Sequence, residues 1–103
     1  MNEKKEIKIE LTPEVAQGKY ANLAIIAHSG NEFFIDMICM APNTPQAKVQ
    51  SRIIMTPENA KQLLFALQEN VHKYESTFGE ITMRKPINMA DEKITFLGPN
   101  GKA

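Results

Sequence analysis

The sequence is poor in the residues that announce a chemistry. Among 103 residues there is one cysteine, Cys39, and there are two histidines, His28 and His72. A single thiol has no partner within the chain, so a disulfide framework is excluded and a reducing cytoplasm is the expected setting. No CxxC, HxH or HExxH spacing occurs. Zinc sites draw on ligands clustered at such spacings, so no metal is expected. The glycines, Gly18, Gly30, Gly79, Gly98 and Gly101, form neither a GxGxxG nor a P-loop, and no phosphate-bearing cofactor is expected. Charge of one sign is also missing: 12 basic residues balance 12 acidic ones, and the two are interspersed. That leaves no basic footprint for nucleic acid or an anionic lipid surface. No apolar run approaches the ~20 residues that span a bilayer. The charged start, Met1 to Glu6, is followed by no apolar h-region, so no signal peptide is expected.

What is present is a strand running into a long helix. Thr56 is placed to accept a backbone N–H as N-cap, and Pro57 fits the first helical position, where its missing N–H costs nothing. Ala60, Leu64, Leu67, Val71, Tyr74 and Phe78 then recur at alternating steps of four and three, with Leu63 beside them. This spacing predicts one apolar stripe on a helix over residues 57–77, stopped by Gly79. Phe65 lies off the stripe with Lys61, Glu69 and His72. The rhythm is heptad-like, but the stripe is short for an autonomous coiled coil and its charges follow no clear e/g pattern. It is expected to pack on the chain's own sheet.

Upstream, residues 7–11 alternate apolar and charged, as a short half-buried strand does. Thr12 and Pro13 predict a single capped helical turn that Gly18 ends. Residues 19–29 and 32–40 read as two strands joined by Ser29-Gly30-Asn31-Glu32, where glycine at the first central position suits a type II′ turn. The register follows from such a turn: Ile26 faces Ile35, Ile25 faces Asp36 and Leu23 faces Ile38. Both faces of this ribbon are then mostly apolar, whereas a ribbon with one wet face would alternate. Residues 41–46 hold two prolines and read as a loop. Residues 47–55 form a further strand, with Val49, Ser51, Ile53 and Met55 on one face. Lys48, Gln50, Arg52 and Ile54 take the other, which suits an edge or half-exposed position.

The expected fold is α+β: an antiparallel sheet of about four strands followed by one long helix, in order β-β-β-β-α, with the helix on one sheet face. Residues 1–6 are expected to be a flexible start and 7–80 a single domain. Residues 81–103 are expected to be a weakly structured tail with a short strand at 93–97.

No catalytic constellation is legible. His28 and Ser29 are neighbours on a strand and point to opposite faces, so they form no dyad. Cys39 sits in an apolar run with no cation placed beside it by the sequence, which reads as an inert core thiol. On the hairpin register His28 and Cys39 share a face at opposite ends of the ribbon. The odd residue is Asp36, a carboxylate inside Phe33-Phe34-Ile35-Asp36-Met37-Ile38. Burying it is costly unless it is paired. The structural reading is an ion pair, with Arg52 on the neighbouring strand the best candidate, or a place near the rim of the sheet. The alternative is a buried acid with a raised pKa.

Several stretches together resemble one family. They are Tyr20-Ala21-Asn22-Leu23, His28-Ser29 with Glu32-Phe33, Asp36, Ala47-Lys48-Val49, and above all Ser51-Arg52-Ile53-Ile54-Met55-Thr56-Pro57. Lys61, Leu64, Leu67, Asn70, Tyr74 and Phe78-Gly79 continue the match. The resemblance is to the domain-of-unknown-function 3467 family of small prokaryotic proteins, and it covers residues 7 to 80. It implies a compact prokaryotic domain and carries over no functional residue, because the family has no assigned activity. Two function classes follow. The first is a non-enzymatic homo-oligomeric interaction module, a dimer by preference, with an unknown protein partner as a further option, no membrane partner expected and nucleic acid disfavoured. The second is a small-molecule or nucleic-acid binding regulator in which Asp36, Arg52 or His28 lines a site.

Overall fold

The computed structural model describes residues 5–43, 46–83 and 97–99. Its elements are a helical turn α1 (Pro13–Ala16), strands β1 (Leu23–His28), β2 (Phe33–Cys39) and β3 (Lys48–Met55), and helix α2 (Pro57–Phe78). The strands form an antiparallel sheet in the order β1-β2-β3, so the protein is α+β with β2 central. Two compact units divide the chain, residues 1–65 and 66–103, and the boundary falls within α2.

The local punctuation acts as its chemistry dictates. Thr12 Oγ1 accepts the N–H of Val15 at 3.4 Å and starts α1, and Gly18 ends that turn at φ +75°. Thr56 Oγ1 accepts the N–H of Asn59 at 3.2 Å and starts α2 ahead of Pro57. Gly79 closes α2 at φ +98°, a region that glycine enters without steric cost, and donates its N–H to Glu75 O at 2.9 Å. No helix among the described residues is long and apolar enough to cross a membrane.

The hairpin register is the expected one, with Leu23 opposite Ile38, Ile25 opposite Asp36 and Ile26 opposite Ile35. The turn that sets it is not type II′, because Gly30 takes no positive φ. Ser29 makes the turn instead. Its hydroxyl accepts the N–H groups of Asn31 and Glu32, each at 3.2 Å, while its own N–H donates to Glu32 O at 2.9 Å.

Among the described residues the sheet has three strands, where about four were expected. Residues 7–11 join no ladder, and Ile7 and Ile9 stand 80% and 92% exposed. Alternation makes a segment able to become a strand, but a strand needs a neighbour's backbone to take its hydrogen bonds. The strand expected at 93–97 lies outside the described residues except for Leu97, which is in no strand.

A second correction concerns faces. The β2–β3 register shifts between Met37 and Ile38, where β3 carries one extra residue, Gln50. This bulge turns Val49 to the side of Ile38 and Asp36, and Lys48 to the side of Cys39. Unbroken alternation had assigned them the other way. Lys19 Nζ donates to the carbonyl of Gln50 at 3.3 Å, which satisfies one backbone group freed by the bulge.

The open end of the hairpin is closed by a side chain. Asn22 Nδ2 donates to Met40 O at 2.9 Å, and Asn22 Oδ1 accepts the N–H of Met40 at 2.8 Å. The amide thus imitates one more rung of the ladder beyond β1. Asn22→Ala is expected to cost about 1–2 kcal/mol and to speed hydrogen exchange at the Met40 amide selectively. Unchanged exchange there would mean that the rung contributes nothing in solution.

Candidate functional site

Among the described residues the one buried charge is on β2. Asp36 is 3% exposed, and among the described apolar residues only Ile38, two positions along the same strand face, is comparably covered. The register places Arg52 of β3 directly opposite Asp36. Arg52 Nε donates to Asp36 Oδ1 at 2.7 Å and Nη2 donates to Oδ2 at 2.9 Å. The pair is therefore bidentate, the geometry in which guanidinium and carboxylate match best. The guanidinium also lies 5.5 Å from the centre of the Phe34 ring, close enough for a cation–π attraction.

The two partners differ in their exposure to water. The carboxylate side chain is 4% exposed and the arginine side chain 47%. The Arg52 hydrogen bonds hold the Asp36 carboxyl below its ordinary 3.8, burial pushes it up by less, and the guanidinium charge adds to the lowering. In turn the hydrogen bonds and charge of Asp36 raise Arg52 above its ordinary value, against a smaller effect of burial. The carboxyl is thus ionised throughout the neutral range and has no proton to donate there. A general acid at neutral pH needs the opposite shift. The lowering is the opposite of the raised pKa that the buried-acid reading requires.

The other sequence candidates stand apart from it. His28 is exposed at the hairpin end of β1 and stacks on its cross-strand neighbour Phe33 with ring centres 5.3 Å apart. It lies on the opposite sheet face from Asp36. Cys39 is half-buried at the far end of β2, opposite Lys48. No three His, Cys, Asp or Glu side chains among the described residues come together to hold a metal ion.

Sequence reasoning paired Asp36 with Arg52 and missed two contributors to the region. Phe34 was legible in principle, since period two puts it on the face of Asp36. The amide bridge of Asn22 had no such signal, because an exposed Asn before a strand has many uses.

The sequence profile of a family described as "Protein of unknown function (DUF3467)" matches residues 1–83. The chain belongs to that family. No curated protein and no solved structure matches it. The matched span contains the five elements described for this DUF3467 chain, from α1 to α2, and with them Asn22, Asp36 and Arg52. The family's description attaches no activity to any of these residues.

Proposed function

We propose that this DUF3467 chain is a non-enzymatic interaction module that works as a homo-oligomer, in the prokaryotic cytoplasmic setting that the family resemblance and lone thiol suggest. One observation carries the reading: apolar side chains stand open on both sheet faces and along α2. Ile26 (61%) and Ile53 (48%) are exposed on one face and Ile54 (52%) on the other, while the α2 stripe leaves Leu64, Leu67 and Phe78 more than half exposed. A helix laid on the sheet covers one face at most. Soluble monomers rarely leave contiguous apolar patches above a few hundred Å² open, so a second copy is the economical cover. The alternating, exposed residues Ile7, Ile9 and Leu11 add apolar surface of the same kind. The regulator reading needs Asp36, Arg52 or His28 as ligand groups, and the first two already hold each other.

Light scattering across a dilution series tests the proposal. The expected mass at tens of micromolar is a multiple of 11.6 kDa, falling toward that value on dilution. A mass of 11.6 kDa throughout would overturn it.

A further inference from the structure

The α2 stripe is self-complementary when one helix is reversed. Ala60, Leu67 and Tyr74 occupy one seam position of a heptad, and Leu64, Val71 and Phe78 the other. In an antiparallel pair the two seam positions meet across the interface. About a two-fold axis level with residue 69, Ala60 meets the partner's Phe78, Leu64 meets the partner's Tyr74, and Leu67 meets the partner's Val71. The same contacts recur on the other side of the axis, so all six stripe residues find a partner. The smallest side chain faces one of the largest, which keeps the spacing between helices even along the roughly 27 Å from Ala60 to Phe78.

The flanking charges agree with the same axis. Lys61, Gln68 and Glu75 line one flank of the stripe. Reversing one helix brings that flank against its own copy, so Lys61 meets the partner's Glu75, Gln68 meets the partner's Gln68, and Glu75 meets the partner's Lys61. In a parallel pair Lys61 would face Thr56, Gln68 would face Leu63 and Glu75 would face Asn70, with no opposite charge anywhere. The charges therefore choose the antiparallel direction, and they look patternless only when a parallel pair is assumed.

The surface is open in the single chain. Leu64 is 57% exposed, Leu67 59% and Tyr74 50%. Asn70, Val71, Tyr74 and Ile81 line a shallow hollow in the second half of the helix. Leu64 and Leu67 of the partner subunit fall level with Tyr74 and Val71, at this hollow. The polar side of α2 faces away from the seam, and there Lys73 and Glu69 pair at 3.1 Å.

We propose that α2 pairs antiparallel with α2 of a second copy about a two-fold axis level with residue 69. This rests on the homo-oligomer reading and adds which surface makes the contact and in which direction. Lys61→Glu and Glu75→Lys, each alone, place like charges at both ends of the seam. Each is expected to raise the dissociation constant roughly five- to thirtyfold. The double variant exchanges the two charges and is expected to return to within about threefold of the native value. Glu75 Oε2 also accepts the N–H of Ile81 at 2.9 Å, so Glu75→Gln, which keeps an oxygen acceptor, serves as the control for that contact. Sedimentation equilibrium of the 103-residue chain reads all five proteins. An oligomer whose dissociation constant ignores the single reversals, or a double variant no better than the worse single one, overturns the α2 pairing and leaves the assembly standing. A native chain that is monomeric overturns both.

Discussion

Arg52→Ala is expected to lower the melting temperature by roughly 10 °C at neutral pH. The substitution strands a carboxylate that is 3% exposed, in a sheet that gives it no second cation across the ladder. Asp36→Ala is expected to cost about half as much, because the guanidinium left behind is already half in water and still has the Phe34 ring. The double variant should melt near Asp36→Ala alone, well above the sum of the two losses, since residues in direct contact are not additive. Strict additivity would mean that the two side chains do not meet in solution.

Acid gives the same pair a signature in sign. In the native chain the folded Asp36 carboxyl titrates below its ordinary 3.8. Its contribution to stability is fully present above that ordinary value and is lost as pH falls through the lower folded one. In Arg52→Ala both lowering causes are gone and burial remains, so the folded carboxyl titrates above the unfolded one. The folded state then holds the proton more tightly, and the variant recovers stability as pH falls from neutral toward 4. Urea midpoints at pH 7 and pH 4.5 should show the gap between variant and native chain narrowing. A constant gap would place the damage elsewhere than on a stranded carboxylate.

Ile38→Ala is the other large effect, at about 2–3 kcal/mol and a melting temperature lower by roughly 10–20 °C. Ile38 is 6% exposed, faces Leu23 on one neighbour and Val49 on the other, and sits at the β3 bulge. Without the bulge Val49 would face away and Ile38 would lose that flank. Ile53→Ala, at a side chain 48% exposed in the single chain, is the comparison. Under dissociating dilution it should cost less than about 1 kcal/mol. A cost at high concentration approaching that of Ile38→Ala would place Ile53 under the second copy.

The helix and its ends were legible because caps are local. Thr56, Pro57 and Gly79 act on backbone groups within a turn of themselves, and a stripe at steps of four and three needs only the helix's own geometry. The register of the hairpin was legible too, since two loop residues allow one pairing, although the turn's chemistry came from the Ser29 hydroxyl and not from Gly30. Half of the site followed from cost. A carboxylate in an apolar run requires a cation, and the register leaves Arg52 opposite it. That both of its oxygens would be engaged, with the guanidinium beside Phe34, was not contained in the pattern.

The sequence by itself determined the hairpin, the following strand and α2 in that order, the caps, the hairpin register and the need to pair Asp36, because each rests on interactions within a few residues or on one unavoidable desolvation cost. Only the tertiary structure decided that residues 7–11 stay out of the sheet, that Gln50 bulges and turns Val49 toward Ile38, and that Asn22 closes the hairpin. Each of these depends on which backbone groups find partners far along the chain. A strand's ability to pair is written in its own residues, but the pairing is made by its neighbours.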